Sequence, residues 1–249
     1  MQPTTHFLIA DDGVELAWHE LGEGKPLVLI HGLFSNASTN WIRYGHAANI
    51  AAAGRRVIIP DLRAHGQSGK PHDPALYPKD VLASDVLALI AHLELTEYDL
   101  AGYSLGARTS VRAIAHGATP GRLALCGMGL EGLLGTAGRA DHFRHILRNL
   151  GNHERGSPEW FAEAFLKTTK GDPQALLPLL DSFVNVSEAD LDALAMETLI
   201  VAGDEDLDNG SAPALAERLS NANYVEIPGG HMSAVTKPEL GQALADFFA

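Results

Sequence analysis

The stretch Ala101-Gly102-Tyr103-Ser104-Leu105-Gly106-Ala107 constrains this chain more than any other. It follows the apolar run Tyr98-Asp99-Leu100-Ala101 and precedes a segment, Ala107 to His116, whose apolar residues recur at helical spacing. Ser104 therefore falls at a sharp turn between a strand and a helix. A residue at such a turn is held in a strained backbone conformation, and Gly102 and Gly106 remove the side chains that would collide there. The hydroxyl is raised at the end of the sheet, with the Leu105 amide and the helix N-terminus facing any negative charge that develops beside it.

Around this turn, apolar runs alternate with helical patterns. Phe7-Leu8-Ile9-Ala10 and Val14-Glu15-Leu16-Ala17-Trp18 flank Asp11-Asp12-Gly13, a hairpin signal that predicts antiparallel edge strands. Leu27-Val28-Leu29-Ile30 is a continuous apolar run of the kind buried on both faces of a parallel sheet. Helical spacing follows over Trp41 to Ala53, then a strand at Val57-Ile58-Ile59, a polar loop from Asp61 to Gly69, and an amphipathic helix over Val81 to Leu93. This alternation predicts an α/β fold with a mainly parallel, twisted sheet flanked by helices.

After the strand Leu123-Ala124-Leu125-Cys126, the alternation stops. Residues 131–190 carry helical patterns and no strand signal, which predicts a small helical cap inserted into a core made of residues 1–130 and 191–249. Alternation resumes with strands at Thr198 to Ala202 and Tyr224 to Ile227, a loop over Pro228 to Met232, and a closing helix from Pro238 to Phe248.

Ser104, an aspartate among Asp204, Asp206 and Asp208, and His231 each come directly after a predicted strand. The C-terminal ends of parallel strands share one side of a sheet, so residues from these loops can converge. A serine hydroxyl is a poor nucleophile at neutral pH and needs a base such as His231, whose ring in turn needs an acid to fix its tautomer.

With these positions in hand, the chain resembles the α/β-hydrolase-fold serine hydrolases, of carboxylesterase-like type, along nearly its whole length. The resemblance rests on His31-Gly32, Asp61-x-Arg63-x-x-Gly66-x-Ser68, Gly102-x-Ser104-x-Gly106, and Gly203-x-x-Asp206 with Gly230-His231. It implies a catalytic Ser104, Asp206 and His231, the family spacing selecting Asp206 from its neighbours, and an oxyanion hole from the backbone amides of Leu33 and Leu105. Phe34, Tyr103 and Met232, adjacent to these positions, are the candidate pocket residues. His31 is expected to hold the oxyanion loop rather than to transfer protons.

The resemblance implies cleavage of small apolar carboxylic esters or lactones through an acyl-enzyme. Relatives that dehalogenate alkanes or open epoxides carry an aspartate where this chain has Ser104. Carbon–carbon bond hydrolases of the fold commonly carry a glycine-rich run where this chain has Leu33-Phe34-Ser35, so they form the second reading. A third is a ligand-binding or signalling protein that keeps the fold without appreciable turnover.

Composition narrows the partners. With 31 acidic against 18 basic residues, the net charge of −13 opposes a phosphate backbone, so nucleic acid is excluded as a partner and a small-molecule ester is expected. No apolar run reaches the roughly 20 residues of a membrane span, and Met1 to His6 lack a secretion signal, so a cytoplasmic location is expected. The lone Cys126 reads as a buried strand residue. No cofactor or metal is implied: His142, His145 and His153 lack a completing ligand and read as solvated cap residues. These features fix no oligomeric state.

Overall fold

The computed structural model describes residues 2–135 and 137–249. The hairpin of β1 (Thr4–Ile9) and β2 (Glu15–Leu21) turns at Asp11-Asp12-Gly13, closed by a hydrogen bond from the Ala10 amide to the Val14 carbonyl. Then come β3 (Lys25–Ile30), α1 (His46–Ala52), β4 (Arg55–Pro60), α2 (Val81–His92), β5 (Asp99–Tyr103), α3 (Leu105–Ala115) and β6 (Arg122–Cys126). Between β6 and the next strand the described residues form α4 (Leu130–Leu134), α5 (Ala137–Arg148), α6 (Pro158–Thr168), α7 (Pro173–Asp181) and α8 (Glu188–Asp192). The chain closes with β7 (Glu197–Gly203), α9 (Ala212–Arg218), β8 (Ala222–Ile227), α10 (His231–Ala234) and α11 (Pro238–Phe248).

The eight strands form one sheet in the order β1-β2-β4-β3-β5-β6-β7-β8. β2 runs antiparallel to both β1 and β4, and every pairing from β4 to β8 is parallel. Of the two hairpin strands only β1 is therefore an edge; β2, expected at the edge with it, lies inside the sheet. The register keeps the strand ends level: Ile30 pairs with Gly102, Tyr103 with Cys126, and Gly203 with Ile227. Loops leaving β3, β5, β7 and β8 thus open on one rim.

Burial on both faces explains the continuous apolar strands. Val28 and Ile30 of β3 join the core on the side of α2 and α3, whereas Leu27 and Leu29 join the core beneath α1 and α11. Cys126 is fully buried on β6, and desolvation pushes its thiol well above the usual range. Among the described residues no helix is long and apolar enough to cross a membrane.

Three local expectations change. The helix expected from Trp41 to Ala53 is split, because Gly45 adopts a left-handed conformation (φ 83°) between a short π-helical turn, Ser38–Ile42, and α1. The loop expected around His231 contains the one-turn α10, whose Gly230 amide donates to Ser233 Oγ (3.0 Å). α8 straddles the expected junction at 190–191 and is tied to the core at both ends. Arg218 of α9 holds Glu188 and Asp192, and Arg112 of α3 holds Asp190 (2.6 Å).

At the opposite end of the sheet from this rim, the fully buried Asp99 gathers three cations. Its carboxylate accepts from Arg55 (2.5 Å) and Lys25 (2.9 Å) and takes the Arg122 amide (2.9 Å), with the Arg122 guanidinium 3.6 Å away. Arg55 also donates to the Phe248 carbonyl (2.8 Å), so one carboxylate fastens α11 to β3, β4 and β5. Asp99→Ala strands a buried guanidinium and should lower unfolding free energy in urea by about 3–5 kcal/mol; a loss below about 1 kcal/mol would contradict this role.

Candidate active site

Ser104 is the residue joining β5 to α3, and its backbone lies at φ 55°, ψ −112°, a conformation L-residues rarely adopt. The flanking glycines permit it. A Cβ on Gly102 would lie 2.2 Å from the Gly106 carbonyl carbon, and one on Gly106 would lie 2.1 Å from the Ile30 carbonyl oxygen. α3 therefore packs directly on the backbone of β3 and β5, and Ser104 projects from the rim.

His231, at the start of α10, faces Ser104. Its Nε2 accepts from Ser104 Oγ (3.0 Å) and its Nδ1–H donates to Asp206 Oδ2 (2.9 Å). Asp206 follows β7 in a turn closed by its own amide to the Gly203 carbonyl (3.0 Å). Neighbouring Asp208 is exposed; Asp204 accepts the Gly229 amide (2.7 Å) and so shapes the loop before His231. Ligand atoms of Asp206, Asp208 and His231 lie within 4.8 Å of one another, but a cation there would compete with the bond that orients the imidazole.

The loop after β3 is fixed by two buried neutral histidines. His31 accepts the Leu62 amide at Nε2 (3.0 Å) and donates from Nδ1 to the Gly32 carbonyl (2.8 Å), so both nitrogens are used within the loops. His65 likewise accepts the Phe34 amide (3.2 Å) and donates to the Arg63 carbonyl (2.9 Å). That bond holds Phe34 in a left-handed conformation (φ 59°). Asp61 completes the brace by accepting from the Ala37 and Gln67 amides (2.8 Å each) and His19 (3.2 Å). Burial pushes the Asp61 carboxyl up, but these donors outweigh it and hold it at about 2. Arg63 is buried too, clasping Asp85 of α2 and Asp12 of the first hairpin.

This brace presents Leu33 beside Ser104. Among the described residues neither the Leu33 nor the Leu105 amide donates to a protein acceptor, so both are available to a bound oxygen. Leu33 and Ser104 together line two adjoining cavities. The first, about 430 Å³, is also lined by Asn40, Tyr44, Tyr103, Phe165, His231 and Met232. The second, about 400 Å³, runs past Leu105 to Arg108, Met128, Arg139, Phe143 and Phe183.

Tyr103 and Met232 both line the first cavity. Tyr103 also donates its hydroxyl to the His231 carbonyl (2.6 Å), and desolvation keeps that hydroxyl protonated. Phe34 is a correction: it is buried, packs edge-on against Phe143 (5.3 Å between ring centres), and lines neither cavity. His153 is another, since its ring is buried and donates to the Ile146 carbonyl (3.1 Å). Sequence reasoning missed Arg108, Arg139 and Asn209, which line the second cavity, and Asn40, which lines the first and accepts the Gly32 amide (3.1 Å). Arg108 was the recoverable one, because it follows Ser104 by one helical turn.

The family model described as "Alpha/beta hydrolase family" matches residues 27–240. The chain belongs to the alpha/beta hydrolase family. It is 30% identical to a 2-hydroxymuconate semialdehyde hydrolase of Pseudomonas sp. (strain CF600), over 78% of this chain and 75% of that protein. A match of 43% identity to the dihydrolipoyllysine-residue acetyltransferase component of an acetoin cleaving system from Pseudomonas putida spans 44% of this chain and only 28% of that protein. Among solved structures, a hydrolase from Pseudomonas aeruginosa PA01 superposes with a TM-score of 0.79 at 24% identity, covering 99% of this chain and 98% of that one. An esterase from Exiguobacterium antarcticum gives 0.74 at 20% identity, covering 99% of each. Both structures share the fold.

The brace makes a pH prediction. Burial holds the His65 imidazole down at about 3, below its usual 6.5. Between those values the unfolded chain binds a proton that the folded chain refuses. Stability at this site therefore falls as pH is lowered through that window, by up to about 1.4 kcal/mol per pH unit. Urea midpoints measured from pH 6.5 to 4 should show a shallower pH slope in His65→Gln than in wild type; equal slopes would contradict the assignment.

Proposed function

We propose that the chain is a serine hydrolase of small carboxylic esters or lactones, with Ser104 as nucleophile, His231 as general base and acid, and Asp206 as its orienting acid. The observation that carries this reading is the unbroken line of hydrogen bonds from Ser104 Oγ through His231 to Asp206, opening on two adjoining cavities. Ser104 Oγ adds to the carbonyl carbon as its proton passes to His231 Nε2. The carbonyl oxygen becomes an oxyanion that the Leu33 and Leu105 amides receive, each such donor contributing about 2.7–4 kcal/mol. Collapse breaks the bond to the leaving oxygen, which takes the His231 proton. Water then attacks the acyl carbon, gives a proton to His231, and Ser104 regains it on release of the acid.

Residues 131–190 act as a cap over this rim: Phe143 of α5, Phe165 of α6 and Phe183 beyond α7 contribute walls to the cavities. A reducing, cytoplasmic setting suits the single buried Cys126. The 2-hydroxymuconate semialdehyde hydrolase relative favours a second reading, carbon–carbon bond hydrolysis at the same serine. The bulky Leu33-Phe34-Ser35 run supports the ester reading over it.

A panel of p-nitrophenyl esters of increasing acyl length, assayed beside 2-hydroxymuconate semialdehyde, tests both. We expect the larger kcat/KM on an ester, its abolition in Ser104→Ala, and a loss of roughly 10⁴-fold in kcat in Asp206→Asn. Turnover of the semialdehyde alone would overturn the ester reading, and saturable binding with no turnover of either would overturn both.

A further inference from the structure

The two cavities that meet at Ser104 have different walls, and the difference assigns the two halves of a substrate. His231 lines the first cavity and not the second. The leaving oxygen must reach the His231 proton, so the alcohol half belongs in the first cavity and the acyl half in the second.

The second cavity carries two arginines. Arg108, on α3 four residues beyond Ser104, is 5% exposed and donates to the Val184 carbonyl, its guanidinium carbon 6.0 Å from the centre of the Phe183 ring. Arg139, on α5, donates to the Asp208 carbonyl and lies 5.5 Å from the centre of the Phe143 ring. Each guanidinium offers five N–H donors in a fork suited to a carboxylate. Among the described residues each meets one backbone oxygen and no carboxylate.

Arg55 and Arg63, the other buried arginines among the described residues, both pair with carboxylates. The acids that act on Arg108 and Arg139 at longer range are engaged elsewhere or exposed. Asp80 acts on Arg108, but Arg112 (2.6 Å) and His116 (2.9 Å) hold it. Asp206 and Asp208 act on Arg139; the first is bonded to His231 and the second is exposed. Burial pulls Arg108 down to about 10, which leaves it charged at neutral pH. An unpaired charge inside an apolar wall is costly, and a substrate anion would offset that cost.

We propose that the second cavity is an anion subsite in which Arg108 and Arg139 receive a carboxylate at the far end of the acyl chain, making half-esters of dicarboxylic acids the preferred substrates. The proposal rests on the ester-hydrolase reading and specifies its substrate class. The apolar residues Met128, Phe143 and Phe183 contact the methylenes between the two ends, while the arginines select for charge.

The test compares mono-p-nitrophenyl succinate, glutarate and adipate with the neutral p-nitrophenyl esters of matching length, and 4-carboxyphenyl butyrate, which carries its charge on the alcohol. At the best length the half-ester should exceed its neutral match in kcat/KM by about tenfold or more, and the ratio should collapse towards unity in Arg108→Gln and fall in Arg139→Gln. The charge on the alcohol should bring no gain. A half-ester no better than its neutral match, with Ser104-dependent turnover intact, would overturn the subsite and leave the ester reading standing. A preference for 4-carboxyphenyl butyrate would overturn the assignment of the halves, and a ratio undiminished in both variants would overturn the role of the arginines. No turnover of any ester would overturn the ester reading itself. The wild-type ratio decides the question even where a variant fails to fold.

Discussion

The close approach of α3 to β3 is the constraint on which the rest of the structure depends. Gly106 lies against the Ile30 carbonyl and Gly102 against Gly106, and between them Ser104 takes a φ of 55° that no ordinary helix start would impose. The strain is sustained because β5 is central and wholly buried, with β3 and β6 hydrogen-bonded on either side. A serine in a relaxed turn would sink towards the sheet. Here it stands at the rim, one hydrogen bond from an imidazole delivered by a loop 127 residues further along the chain.

A second layer fixes what faces that hydroxyl. His31, His65 and Asp61 spend their polar atoms on backbone groups of the loops after β3 and β4, so these segments are held by bonds in a fixed register rather than by apolar packing alone. Neutral histidines serve here because each ring both donates and accepts, and burial keeps them neutral. The Leu33 amide is thereby aimed without its side chain being polar, which is why a leucine suffices there. The motif Asp61-x-Arg63-x-x-Gly66-x-Ser68 is thus a brace for the site. Ser68 contributes by accepting the Ala17 amide (2.9 Å) and donating to the Asp61 carbonyl, which joins the loop to β2.

Most of the architecture was legible because buried parallel strands write themselves as unbroken apolar runs. Each of β3 to β7 was visible that way, and the loops carrying Ser104, Asp204 to Asp208 and His231 followed from strand ends, the choice of Asp206 among the aspartates coming from the family spacing alone. Features set by tertiary contact were not legible. The break at Gly45 depends on one left-handed residue inside an apolar helical pattern. Phe34 reads as a pocket residue from its place after His31-Gly32, yet its left-handed backbone turns the ring into the core against Phe143. Arg139 could not be placed from sequence, since it reaches the cavity only because α5 folds back over the rim.

The reactivity of one oxygen, Ser104 Oγ, is the most direct measure of this site. Labelling with an alkyl fluorophosphonate, followed by peptide mapping and by the rate in His231→Ala, measures that reactivity without reference to any substrate. One phosphonylated residue, Ser104, with the rate falling by orders of magnitude when the imidazole is removed, is the predicted result. Adducts distributed over other hydroxyls, or an unchanged rate in His231→Ala, would contradict an activated serine at this rim.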